Sequence, residues 1–305
     1  MQLRILGSAA GGGFPQWNCA CPNCDGVRRG KLQAKPRLQT QVAVSGNGLS
    51  WFLLGASPDL HRQIESSTQL QPRSGTRTSP VAGVVLASAD LDHVLGLLLL
   101  RELHQFQVWA TDAVIQVVRE NSMSGMLNRV EHQVRWNSIR SGEEFQLHSV
   151  DGEDSGISCR VVALSSRCPP YAPKRPAQSA EVVVGLVLTT ARGKRLGFFP
   201  QLPTLTTELT GLFASLDLLL LDGTFWSEDE LIRLQGSGQS AREMGHIPVG
   251  GEEGTLQQLS RLTRPHRMYI HINNTNPMLN EAGEEYRSVR QMGWELAEDG
   301  WRMNL

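Results

Sequence analysis

Asp90, Asp92 and His93 fall within Asp90-Leu91-Asp92-His93, between the apolar run Val84-Val85-Leu86 and a second apolar run from Val94 to Leu100. Two carboxylates and an imidazole this close cannot all be buried unless something positive holds them, and a divalent cation meets that need. Asp90 alone has a plainer reading, as the N-cap of a helix that starts near His93. That reading leaves the triplet unexplained. Cys19-x-Cys21-x-x-Cys24 is a second ligand pattern: three thiolates on a tight loop can enclose one face of a tetrahedral Zn²⁺ and leave its fourth position to a distant residue. The chain holds five cysteines, an odd number, and these three are too crowded to bridge one another easily, so metal ligation fits better than disulfides. Cys159 and Cys168 read as buried free thiols.

Three further residues stand where chemistry is commonly placed. Asp222 follows Leu218-Leu219-Leu220-Leu221, so a carboxylate sits at the end of a buried strand, where open sheets bind ligands. Capping the next helix or holding a loop is an equally good reading of it. His271 closes the run Met268-Tyr269-Ile270 and opens the polar turn Asn273-Asn274-Thr275-Asn276-Pro277. Its ring is placed to join Asp92 and His93. His246, in Glu243-Met244-Gly245-His246-Ile247-Pro248, lies on a loop where it could donate or accept a proton above a metal. His61, His104, His132, His148 and His266 have no ligand-like company and read as surface or structural residues.

The elements that must position these groups are legible from apolar spacing. Met1 to Leu6 alternates like a first strand, and Gln41 to Ser45 and Ser50 to Leu54 flank Gly46-Asn47-Gly48, a hairpin signal. The stretch from Val81 to Leu86 predicts a strand, and Val94, Leu97, Leu98 and Leu100 predict a helix leaving it. Further strands are expected at Leu216 to Leu221 and Met268 to His271, with a helix near Thr255 to Leu262. Ser66 to Ser79 reads as a surface loop. The glycine-rich turn Gly7 to Gly13 lacks the Lys-Ser/Thr of a phosphate-binding loop. Apolar strands from both halves, with helices between them, predict layered sheets covered by helices.

With 305 residues, 40% hydrophobic and 19% charged, and a net charge of −1, the composition is that of an ordinary globular protein. It gives no electrostatic reason to expect nucleic-acid binding, and no apolar run is long enough to span a bilayer. The first residues lack a signal-peptide pattern, so a cytoplasmic location is expected.

A glycine-rich turn after strand one, a strand ending in x-Asp-x-Asp-His and a late strand ending in His together resemble the metallo-β-lactamase superfamily. The segments Leu6 to Cys24, Ala56 to Leu60, Ala89 to Glu102, Leu221 to Trp226, Met244 to Pro248 and His271 to Pro277 look more closely like its PqqB family, which serves pyrroloquinoline quinone (PQQ) biosynthesis. The resemblance covers nearly the whole chain. It implies a single α/β domain over residues 1–305, an αββα sandwich of two mixed sheets covered by helices, with the zinc loop at 19–24.

The superfamily's hydrolases hold two zinc ions with His-x-His-x-Asp-His. Here the corresponding places read Ser88-x-Asp90-x-Asp92-His93, and Gly197-Phe198-Phe199-Pro200-Gln201 offers no bridging carboxylate. The resemblance then implies Fe²⁺, or another divalent metal, on Asp92, His93 and His271. Asp90 would ligate or orient a bound water, Asp222 would stand nearby, and His246 would take acid–base duty. The structural zinc would sit on Cys19, Cys21 and Cys24, with either Asn274 or another group completing it. The implied activity is iron-dependent hydroxylation of the tyrosine ring in a cross-linked Glu-Tyr intermediate. The alternatives are a carrier of the finished quinone and a zinc-dependent hydrolase. Expected partners are that intermediate or PQQ and other proteins of the pathway, with a monomer or a homodimer both open.

Overall fold

The computed structural model describes residues 1–75, 77–102, 104–128, 131–172 and 181–305. The chain forms two compact units, each assembled from separated stretches. The first takes Met1–Gly7, Thr40–Arg195 and Gly300–Leu305; the second takes Ser8–Gln39 and Leu196–Asp299.

Nine strands of the first unit follow one another: β1 (Gln2–Gly7), β2 (Gln41–Ser45), β3 (Trp51–Leu54), β4 (Val81–Val85), β5 (Phe106–Thr111), β6 (Val134–Ile139), β7 (Glu144–His148), β8 (Asp154–Ser165) and β9 (Val183–Thr190). The second unit supplies β10 (Arg195–Phe199) from Leu196 onward, β11 (Leu218–Asp222), β12 (His266–Ile270) and β13 (Glu295–Leu296), before β14 (Arg302–Asn304) returns to the first.

In the first unit the order is β14-β1-β2-β3-β4-β5-β6. Pairing is antiparallel from β14 to β3 and parallel from β3 to β6. The antiparallel half includes the hairpin expected around Gly46-Asn47-Gly48. β7, β8 and β9 pair antiparallel in the same unit. A parallel strand is covered on both faces and needs apolar side chains throughout, and β4 is buried from Val81 to Val85. Trp51, Leu53, Val84, Leu86, Val108 and Val114 belong to its core.

In the second unit β10, β11, β12 and β13 pair parallel in that order. Leu218 to Leu221 are each fully buried, and each such leucine contributes about 1.5–3 kcal/mol of transfer free energy. Parallel strands place the groups that follow their C-terminal ends along one edge. In this unit Asp222 is the last residue of β11 and His271 directly follows β12.

Four expectations are corrected. The helix predicted from Val94 to Leu100 is a single α-turn, Leu91–Val94, followed by a 3₁₀ helix, Leu95–Leu100. The Gly96 amide donates to the Ala56 carbonyl at 2.8 Å, and a Cβ at Gly96 would lie 2.3 Å from the Ser57 oxygen. Close backbone approach therefore overrides the leucine spacing. The helix near Thr255 to Leu262 stops at Gln258, because Ser260 and Leu262 bond back three residues rather than four ahead of Pro265. β12 ends at Ile270, leaving His271 just beyond it at φ +60°. Cys159 is buried as expected, whereas Cys168 is half-exposed.

No helix among the described residues is long and apolar enough to cross a membrane.

Candidate metal centre

In the second unit Asp222, His246 and His271 are all buried, and each offers a ligand atom within 4.8 Å of the others. Asp222 is 0% exposed, so its charge must be met by hydrogen bonds. Its Oδ2 accepts from the Leu202 amide at 2.8 Å and faces His246 Nδ1 at 2.8 Å. Its Oδ1 accepts from the Thr224 amide at 3.0 Å and the Thr224 hydroxyl at 2.6 Å. A carboxylate has about four lone-pair directions, and all are used here. Such a group orients its neighbours better than it ligates a cation.

The Thr224 hydroxyl also lies 3.0 Å from His246 Nδ1 and 2.8 Å from His271 Nδ1. The two imidazoles stack, with centroids 5.6 Å apart and planes 16° from parallel, and Phe225 meets His246 edge-on.

The backbone around these rings is tied down. Gly223 donates to the Ile270 carbonyl at 2.8 Å and Asn273 to the Thr224 carbonyl at 3.1 Å. The Asn276 side chain donates to the Gly223 carbonyl at 3.0 Å. The His246 loop is held by Ile247 donating to Leu202 and Val249 to Phe225, both at 2.9 Å. His271 occupies the left-handed region at φ +60°, which costs a residue with a Cβ about 1–2 kcal/mol and persists where the surroundings enforce it.

In the first unit, Ser88 to His93 follow β4. His93 is buried, and Asp90 and Asp92 are half-buried. Ser88 Oγ lies 3.0 Å from Asp90 Oδ2 and 3.1 Å from His93 Nδ1, so one hydroxyl ties the carboxylate to the imidazole. The His93 carbonyl accepts from the Ala56 amide at 2.7 Å. Tyr171 adds an anchor, its hydroxyl donating to the Ala89 carbonyl. Burial pushes the Tyr171 phenol up to about 12, helped by Asp90 and Asp92.

The cysteine loop also lies in the second unit. Sγ of Cys19, Cys21 and Cys24 lie within 4.8 Å of one another. The side-chain amide of Asn274 is 3.2, 3.6 and 3.3 Å from these sulfurs in turn. Around a tetrahedral zinc with Zn–S of about 2.3 Å and Zn–O of about 2.1 Å, the sulfur-to-oxygen edge is about 3.6 Å. The amide thus stands at the fourth corner, and which of its two atoms faces inward is an assignment between near-identical shapes. Burial raises the Cys21 thiol above its ordinary value, so a zinc ion binding here displaces protons.

Sequence reasoning named Asp90, Asp92, His93, Asp222, His246, His271 and the cysteine loop, and missed Ser88 as a partner of His93, Thr224 as a hub and Tyr171. The Asp222-Gly223-Thr224 run offered a signal for Thr224, since a hydroxyl two residues past a strand-end carboxylate can bond back to it.

A β-lactamase superfamily domain model matches residues 50–272. The chain is 39% identical over 309 residues to coenzyme PQQ synthesis protein B of Azoarcus sp. (strain BH72), covering 100% of both chains. It is 40% identical to the protein of the same name from Cupriavidus necator, covering 99% of each. Among solved structures, the Zn²⁺-bound PqqB from Methylobacterium extorquens matches with a TM-score of 0.91 at 36% identity over 100% of both chains. A diphosphatase of the PhnP family matches with a TM-score of 0.67 at 17% identity, covering 100% of this chain and 97% of that one, and speaks to the fold alone. The fold is that of the metallo-β-lactamases, two mixed sheets with flanking helices. On these matches the chain belongs to the coenzyme PQQ synthesis protein B family of the β-lactamase superfamily.

Proposed function

We propose that this protein acts in PQQ biosynthesis as an iron-dependent hydroxylase, oxidising the tyrosine ring of the cross-linked Glu-Tyr intermediate. Family membership supports the pathway, since the relatives are named for coenzyme PQQ synthesis. The observation that carries the chemistry is Ser88, which occupies a place where the hydrolases have a metal-binding histidine and spends its hydroxyl holding Asp90 and His93. Gln201, where a bridging carboxylate would be expected, directs its amide at the Met244 carbonyl, 3.4 Å away. Neither residue can serve a second metal as a histidine or aspartate would, which disfavours two-metal hydrolysis.

As ligands we take Asp92, His93 and His271, a two-histidine, one-carboxylate donor type that suits Fe²⁺ with open positions. The donor set fits the ion: His93 and His271 each meet a hydroxyl at Nδ1, the outer partner that orients a metal-bound imidazole through its other nitrogen. Iron held there would supply coordination for oxygen and part of the electrons; the remaining reductant comes from outside. Asp222 keeps the His246 ring in place, and His246 moves the proton of the attacked phenol. Asp90, steadied by Ser88, orients a water. Cys19, Cys21, Cys24 and Asn274 hold a structural zinc.

The test loads metal-free protein anaerobically with Fe²⁺ or Zn²⁺, then adds oxygen and the Glu-Tyr intermediate and reads product mass. A gain of one oxygen atom with iron alone, lost in His93→Ala and His271→Ala, supports the hydroxylase. No product with either metal, but retention of finished PQQ, would move the assignment to a carrier.

A further inference from the structure

We infer that Thr224 is a positioning residue that sets the tautomer of both His246 and His271. A threonine hydroxyl has one proton to give and two lone pairs to receive with. Two oxygens face that proton, Asp222 Oδ1 at 2.6 Å and the His271 carbonyl at 3.0 Å; the shorter contact, to the carboxylate, takes it, and either choice uses the one proton on an oxygen. Both lone pairs then face imidazole nitrogens, His271 Nδ1 at 2.8 Å and His246 Nδ1 at 3.0 Å. An acceptor facing a ring nitrogen requires N–H there, so both rings carry hydrogen on Nδ1 and an open lone pair on Nε2. Asp222 Oδ2, 2.8 Å from His246 Nδ1, demands the same tautomer of that ring.

The geometry makes the two choices one. The rings lie 16° from parallel with both Nδ1 atoms on a single oxygen, so both Nε2 atoms lie on the side away from Thr224. One ring thereby presents a metal-ligating nitrogen beside the other's proton acceptor. Reversing the hydroxyl would leave Asp222 Oδ1 without that donor and pit an O–H against an N–H. Thr224 is 3% exposed, so water is poorly placed to substitute. This inference rests on the reading of His271 as a metal ligand and His246 as an acid–base group.

The test begins without metal. Long-range nitrogen–proton NMR of ¹⁵N-histidine-labelled apoprotein, assigned with His246→Gln and His271→Gln, should show both rings as Nδ1–H in the parent protein. In Thr224→Val, which keeps the shape and removes the hydroxyl, His271 should shift toward Nε2–H while His246, still held by Asp222, shifts less; Thr224→Ser should restore the parent pattern. Chelator competition for Fe²⁺ should then weaken by about 10–100-fold in the valine variant, as for other outer partners of metal ligands, and recover in the serine variant. An Nε2–H signal for either ring in the unmutated apoprotein overturns the inference, as does an unchanged His271 in a folded Thr224→Val. Expected tautomers and expected variant shifts without measurable metal affinity uphold the role of Thr224 and overturn the metal reading of His271.

Discussion

Thr275 donates its hydroxyl to Glu230 Oε1 at 2.5 Å, while Glu230 Oε2 accepts from the Trp226 amide at 2.7 Å. One carboxyl thus links the turn after β11 to the polar segment after His271. Glu230 is 6% exposed, and burial pushes its carboxyl up to about 7, against the bonds to Thr275 and Trp226 that favour the charge.

A carboxyl with a raised pKa in the folded state binds its proton more tightly there than in the unfolded chain. Its contribution is fully present below about 4.5 and is lost as pH rises through about 7, a difference of about 3 kcal/mol. Glu230→Gln copies the protonated form. Denaturant titrations between pH 5 and pH 8 should therefore show a flatter stability profile in the variant. A parallel profile would show that Glu230 ionises normally.

The cysteine loop should hold one zinc per chain. Cys24→Ser, which alters the most buried of the three thiols, should lower zinc content by one equivalent and reduce the thermal midpoint, since structural zinc contributes about 10–16 kcal/mol of apparent binding energy. Asn274→His should slow zinc loss to a chelator, because imidazole is the better zinc ligand. Unchanged zinc content in Cys24→Ser would place the ion elsewhere.

Gly223 sits between Asp222 and Thr224, and a Cβ there would lie 2.8 Å from Tyr269 Cβ and 3.2 Å from the Ile270 oxygen. Gly223→Ala should destabilise by about 1–3 kcal/mol, read as a lower denaturant midpoint. It should also weaken iron binding, because the turn that carries Thr224 must move. A variant with unchanged midpoint would show that the turn yields freely.

Tyr171→Phe keeps the ring and removes the donor to the Ala89 carbonyl. The expected cost is about 1 kcal/mol, or roughly fivefold where it is felt as looser positioning of Asp90 and Asp92. Iron titrations of the two proteins would show it. Equal affinities and equal stability would mean that the bond contributes nothing net.

Strand positions and most ligands were legible because they follow from short-range pattern. Leu218 to Leu221 announces a buried strand by composition, and Cys19, Cys21 and Cys24 announce a metal loop by spacing. The partners were not legible. Ser88 and Thr224 are unremarkable hydroxyls in sequence, and their roles come from facing histidines 5 and 22 or 47 residues away. Tyr171 lies 82 residues from Ala89. The leucines from Leu95 to Leu100 misled for a related reason: their spacing suits a regular helix, but Gly96 answers to the backbone of Ala56 and Ser57, which no local pattern reveals.

β14 pairs with β1 in the register Gln2↔Asn304 to Arg4↔Arg302, so the partner of the first strand is synthesised long after the strand itself. Until β14 is made, β1 has one side of its backbone unsatisfied and open to other chains. Loss of Arg302 to Asn304 should therefore act less like removing a loose segment than like removing a guard from the sheet, with aggregation during synthesis as its consequence.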